Sequence, residues 1–148
     1  MTAQDEISLS PSNQVVSPSE NGRRTRVLLA EDDRALRRFL EIILERAGYK
    51  VIPAADGLEA MKVALSTPID IVITDAMMPN LSGREFCRFL RNSQTLSHLP
   101  VILLSALEQK ETSHNAEQVD AFLSKPVSGE SLVGCIEKLL ASKRESSS

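Results

Sequence analysis

Tryptophan is absent from this sequence, and the aromatic residues amount to four phenylalanines and one tyrosine. A protein that holds single-stranded nucleic acid by stacking needs aromatic platforms, and this chain has almost none. Basic charge is also in short supply: 17 Lys and Arg stand against 20 Asp and Glu, a net charge of −3. Residues 1–25 and 143–148 carry four basic and four acidic groups between them, so the whole acidic excess falls on the middle of the chain. A surface built to grip phosphate backbone leans the other way, which argues against direct nucleic-acid binding. Cysteine occurs only as Cys87 and Cys135, too few for a disulfide framework and in keeping with a reducing, cytoplasmic compartment. No apolar run approaches the roughly 18 residues of a membrane helix, so no membrane insertion is expected. The opening Met1-Thr2-Ala3-Gln4-Asp5-Glu6 lacks the basic and apolar regions of a secretory signal.

What is present is ordinary for a globular protein. The chain has 148 residues, 42% of them hydrophobic and 25% charged, enough for one domain. Residues 1–24, rich in Ser, Pro, Asn and Gln, develop no hydrophobic period and are expected to be a disordered leader. Residues 143–148 are expected to be a frayed tail, leaving 25–142 as the domain.

Within that domain short apolar runs alternate with amphipathic stretches. Arg26–Ala30 reads as a buried strand ending in Glu31-Asp32-Asp33, with Asp33 placed to cap a helix. Leu36, Phe39, Leu40, Ile43, Leu44 and Ala47 then recur at helical spacing, and Gly48 supplies the stop. Lys50–Pro53, Ile69–Thr74, Pro100–Leu104 and Ala121–Leu123 read as four further strands. Helices are predicted over Leu58–Leu65, Arg84–Arg91 and Glu130–Ala141, with a weaker polar candidate over Glu108–Glu117. Five strands alternating with five helices predict an α/β fold: a doubly wound, five-stranded parallel sheet with helices on both faces.

In such sheets the working site lies beyond the carboxyl ends of the strands. That rule brings Glu31, Asp32, Asp75, Ser105 and Lys125 to one crevice. Three carboxylates there would repel one another unless a cation neutralised them. An all-oxygen donor set suits Mg²⁺ or Mn²⁺ better than zinc, and neither His98 nor His114 falls at a strand end. A divalent cation, the Lys125 ammonium and the Ser105 hydroxyl around a carboxylate form a cradle for a phosphoryl group. Asp75, alone after the central strand, is the best-placed nucleophile.

The same residues carry a family resemblance. Val27–Asp33, Ile71–Gly83 with its Asp75-Ala76-Met77-Met78-Pro79-Asn80 segment, Leu103–Ala106 and Phe122–Pro126 together resemble the receiver domain of two-component response regulators, over about residues 25–142. Four motifs in order make the likeness specific; an acidic pair alone would not. The resemblance implies a flavodoxin-like fold and a phosphorylation switch. A sensor histidine kinase or histidine phosphotransfer protein would pass a phosphoryl group to Asp75, altering the surface offered to a downstream protein. It further implies that Asp32, Asp75 and the Met77 backbone carbonyl hold Mg²⁺, and that Glu31 joins through a water. Ser105 and Lys125 would contact the phosphoryl group, Phe122 would turn inward behind it, and the Lys125–Pro126 bond would be cis. With no output domain after residue 142, the chain is expected to act as a signalling module rather than an enzyme with a separate substrate.

Blander readings compete with each of these. Asp33 is a helix cap first, Phe122 is as well explained by core packing, and the Met77 and Met78 side chains are expected to pack. An apolar rim of Leu36, Phe39, Pro126 and Val127 is expected to receive the phosphodonor. A Mg²⁺-dependent phosphohydrolase also uses an aspartyl nucleophile, but its general acid two residues on would fall at Met77. A nucleotide or flavin binder would need a Gly-rich first turn, where this chain has Ala30-Glu31-Asp32-Asp33. A degenerate receiver serving as a scaffold would not need the full acid set.

Overall fold

The computed structural model of the chain describes residues 23–106 and 119–147. Five strands, β1 (Arg26–Ala30), β2 (Lys50–Ala54), β3 (Ile71–Asp75), β4 (Val101–Ser105) and β5 (Ala121–Ser124), form one sheet in the order β2-β1-β3-β4-β5. All four pairings are parallel. The described helices are α1 (Arg34–Arg46), α2 (Gly57–Ser66), α3 (Gly83–Arg91) and α4 (Gly129–Ser147).

The central strands are near-continuous apolar runs because both faces of the sheet are covered. Successive side chains point to opposite faces, which divides the interior in two. Leu28, Val72 and Leu103 belong to one core with Ala60 and Ala64 of α2 and Phe86, Cys87 and Leu90 of α3. Val27, Leu29, Ile71, Ile73, Ile102 and Leu104 belong to the other, with Leu40 and Leu44 of α1 and Leu132 and Ile136 of α4.

Local chemistry sets the helix starts. The side chains of Asp33, Asp56 and Ser82 accept from the backbone N–H three residues on, at 3.0, 2.9 and 3.1 Å. Glu85 returns the favour at α3, accepting from the Ser82 N–H at 2.9 Å, a complete capping box. Ser128 begins α4, its hydroxyl accepting from the Ser131 N–H at 3.0 Å.

Several boundaries differ from the sequence reading. β3 begins at Ile71 rather than Ile69 and includes Asp75; β4 is likewise shifted one residue and includes Ser105. α4 runs to Ser147, well past the predicted end at Ala141, so the expected frayed tail is helical over residues 143–147. Lys143, Arg144 and Glu145 are good helix formers, and no Gly or Pro intervenes to stop the helix. Arg23, assigned above to the leader, is held by Asp70 through Nη1 and Nη2 at 3.2 and 3.3 Å. Residues 1–22 of that leader and the Glu108–Glu117 helix candidate, with His114, lie outside the described residues.

Candidate functional site

β1 delivers Glu31 and Asp32 to the carboxyl edge of the sheet, and the chain turns at once into α1. Glu31 is fully buried. Its N–H donates to the Ala54 carbonyl at 3.0 Å, and its own carbonyl accepts from Arg37 Nη1 at 2.7 Å. Its Oε2 accepts from the Asp33 N–H at 3.0 Å, while Oε1 lies 3.2 Å from Lys125 Nζ. That ion pair is a contact of charges without hydrogen-bond alignment, so Oε1 is buried with no hydrogen-bond partner. Asp32 is exposed beside it.

Asp75 closes β3 and is only 5% exposed. Its Oδ2 accepts from Lys125 Nζ at 2.9 Å, and the Met77 N–H approaches Oδ1 at 3.5 Å. The backbone beyond it is fixed on both sides: the Ala76 N–H donates to the Leu104 carbonyl at 2.8 Å, and the Ala76 carbonyl accepts from the Gly83 N–H at 3.0 Å. Gly83 has to be glycine, since a Cβ there would lie 1.9 Å from the Asp75 carbonyl oxygen. Lys125 follows β5. Its N–H donates to the Ser105 carbonyl at 3.0 Å, and the Lys125–Pro126 bond is cis. Ser105, at the end of β4, is buried on the same edge.

Electrostatics follow from this burial. Glu31 is pushed up to about 7, mainly because burial penalises its charge and secondarily because Asp75 is near; the Asp33 N–H and Lys125 oppose the shift. Burial would lower Lys125, but the hydrogen bond and charge of Asp75, then the close charge of Glu31, outweigh it and raise its pKa. One carboxylate oxygen each from Glu31, Asp32 and Asp75 lie within 4.8 Å of one another. Three hard oxygens at this spacing fit a small divalent cation such as Mg²⁺, and Glu31 Oε1 is buried there without a hydrogen bond.

The sequence-predicted residues therefore divide. Glu31, Asp32, Asp75, Ser105 and Lys125 do meet at one sheet edge. The Met77 side chain was expected to pack and does not: it is 64% exposed, carried outward by the loop after β3. Phe122 is half-buried against the core of the α2/α3 face, opposite Leu103 in the β4–β5 register. Leu36 and Val127 pack on the α1/α4 core, Pro126 is exposed, and Phe39, placed above on the apolar stripe of α1, is 51% exposed.

Two supports escaped the sequence reading. Arg37 clamps the Glu31 carbonyl, a role signalled only by a basic residue one turn into α1 on its half-buried side. Asn80, with φ 71°, donates to Asp56 Oδ2 at 2.8 Å and so ties the loop after β3 to the cap of α2. That hydrogen bond and the one from the Glu59 N–H lower the Asp56 pKa, the latter contributing most.

The family model of the response regulator receiver domain matches residues 27–137. The chain belongs to this family. Among curated relatives, this receiver is 33% identical to protein PilG of Pseudomonas aeruginosa over 114 residues, 76% of this chain and 84% of PilG. Among solved structures, it is similar to the receiver domain of a signal transduction histidine kinase from Syntrophus aciditrophicus, with 31% identity and a TM-score of 0.74. That match covers 80% of this chain and 91% of the other. It is also similar to response regulator TrrA of Thermotoga maritima, solved with Mg²⁺ and BeF, with 29% identity and a TM-score of 0.71, covering 78% and 98%. The receiver fold and its membership in two-component signalling are thereby fixed. Among the described residues of this receiver, no helix is long and apolar enough to cross a membrane.

Proposed function

We propose that this receiver accepts a phosphoryl group on Asp75 from the phosphohistidine of a sensor kinase or a histidine phosphotransfer protein. The observation that carries the reading is Lys125 Nζ, held 2.9 Å from Asp75 Oδ2 and 3.2 Å from Glu31 Oε1, with Asp32 completing a cluster of three acids. An Asp75 oxygen forms the new O–P bond as the P–N bond breaks. The electron pair stays on the imidazole nitrogen, which takes a proton from solvent. Glu31, Asp32, Asp75 and the Met77 carbonyl would hold Mg²⁺ (or Mn²⁺), which when bound supplies charge neutralisation for the phosphoryl oxygens. Lys125 passes from Asp75 to a phosphoryl oxygen, and the Ser105 hydroxyl donates to another.

The exposed Phe39 and Pro126, with Leu36 and Val127 beneath them, supply the rim on which the donor sits. Phe122 and the β4–β5 edge relay the change to a downstream protein. Beyond its own loading and unloading the domain processes no separate substrate, and it works in the cytoplasm. The presence of a receiver within a histidine kinase and of Mg²⁺ with BeF on TrrA supports the partner and the ion.

The test is incubation with Mg²⁺ and acetyl phosphate or phosphoramidate, followed by intact mass. One base-labile phosphate is expected on the wild type and none on Asp75→Asn. A label that persists in Asp75→Asn, or that survives base, overturns the assignment. Phe39→Ala should slow transfer from a protein donor while leaving acetyl phosphate labelling intact.

A further inference from the structure

We infer that the phosphodonor presents acidic side chains to the outer face of α1, where Arg34 and Arg38 lie one turn apart along one edge of the exposed surface and Phe39 lies along the other. The inference rests on the phosphoacceptor reading above and adds the chemistry of the partner. α2, α3 and α4 each carry a glutamate in the first turn, Glu59, Glu85 and Glu130, as the helix dipole favours. α1 has no acid there and instead places Arg34, Arg37 and Arg38 within its first five residues. Among the described residues Arg37 reaches off the helix to the Glu31 carbonyl, whereas Arg38 pairs with Glu41 on α1 itself.

Arg34 is exposed and makes no ion pair among the described residues. Arg38 is exposed apart from a 3.4 Å contact with Glu41 on its own helix. Their neighbour Phe39 leaves half of its surface in water. This face therefore combines one unpaired cation, a second held only by Glu41 of its own helix, and an unburied aromatic ring, the composition of an interface anchor and not of a plain solvated helix face.

Its position gives the charge a purpose. Arg34 follows directly on Asp32 and Asp33, at the lip of a site lined by Glu31, Asp32 and Asp75. An incoming phosphoryl group is anionic, and those three carboxylates repel it. Cations at the lip offset that repulsion and attract a donor whose surface around the phosphohistidine is acidic.

Two synthetic peptides of equal length test this. Each carries a single histidine phosphorylated with potassium phosphoramidate, flanked by glutamates in one and by lysines in the other. At low salt the wild type should take the phosphoryl group from the acidic peptide about 5-fold faster, roughly two exposed charge pairs' worth, and KCl should erase the difference. Arg34→Glu/Arg38→Glu should reverse the preference while acetyl phosphate labelling shows that it still folds and loads. Equal rates from both peptides, or a preference unchanged by the double reversal, would overturn the inference. Arginine-dependent retention on phosphatidylglycerol vesicles without any peptide preference would also overturn it and reassign the face to a membrane. If neither peptide nor acetyl phosphate labels Asp75, it is the phosphoacceptor reading that fails.

Discussion

Glu31 is the residue at which stability and function pull apart. Its folded pKa of about 7 lies above the ordinary 4.5, so between those values the folded state binds a proton that the unfolded state has released. The unfolded state then holds fewer protons, and stability falls as pH rises from about 4.5 to about 7. The loss is on the order of 3 kcal/mol. Glu31→Gln, neutral throughout, should flatten that slope and make the metal-free protein more stable than wild type at pH 8. Urea unfolding in EDTA at pH 5 and pH 8 measures both, and a variant weaker than wild type at pH 8 would contradict the argument.

Met77 carries a second residue-scale prediction. Its apolar side chain, two residues past Asp75 and 64% exposed, offers no group to orient an attacking water. Loss of the phosphoryl group should therefore be slow, and Met77→Asn should hasten it. Decay within seconds in the wild type would contradict this. The acids and Lys125 were legible from the sequence because each ends an apolar run, which the sheet converts into position. The outward turn of Met77 was not legible, since an apolar residue in a loop carries no mark of which way it faces.

At the scale of elements, the two kinds of helical glycine make opposite predictions. Gly83 opens α3 against the Asp75 carbonyl, where a Cβ would stand 1.9 Å from backbone that cannot give way. Gly83→Ala should cost about 2–3 kcal/mol and slow loading, because α3 can relieve the clash only by moving away from Asp75. Gly134, inside α4, meets nothing within 4 Å, and Gly134→Ala should stabilise by about 0.5–1 kcal/mol. Thermal unfolding of the pair checks both signs.

The strands were legible nearly to the residue because burial on both faces leaves a continuous apolar signature. The far end of α4 was missed because a polar, Ser-rich stretch reads as tail when nothing apolar marks its continuation. Gly57, whose Cβ would lie 2.1 Å from the Leu81 carbonyl oxygen, falls just before the predicted Leu58–Leu65 helix, where nothing local marks that contact. Its real constraint is a loop 24 residues away.

At the scale of the whole molecule, the sheet places the site where the strand order reverses, since β1 is flanked by β2 on one side and β3 on the other. The acids thus sit between two separately packed cores and are drawn from β1 and β3, with Lys125 reaching in from beyond β5. A ligand that binds there binds only the folded chain, and it must stabilise the whole domain by mass action. Mg²⁺ competes with the proton on Glu31, so its grip should weaken as pH falls through about 7. The rise in unfolding temperature produced by 5 mM Mg²⁺, a concentration of roughly the scale at which weak carboxylate sites fill, should be larger at pH 8 than at pH 6. In Glu31→Gln that pH dependence should vanish even if some stabilisation remains through Asp32 and Asp75. Scanning calorimetry of both proteins at both pH values decides it. An equal Mg²⁺ effect at pH 6 and pH 8 in the wild type would mean that the buried carboxylate takes no part in holding the ion.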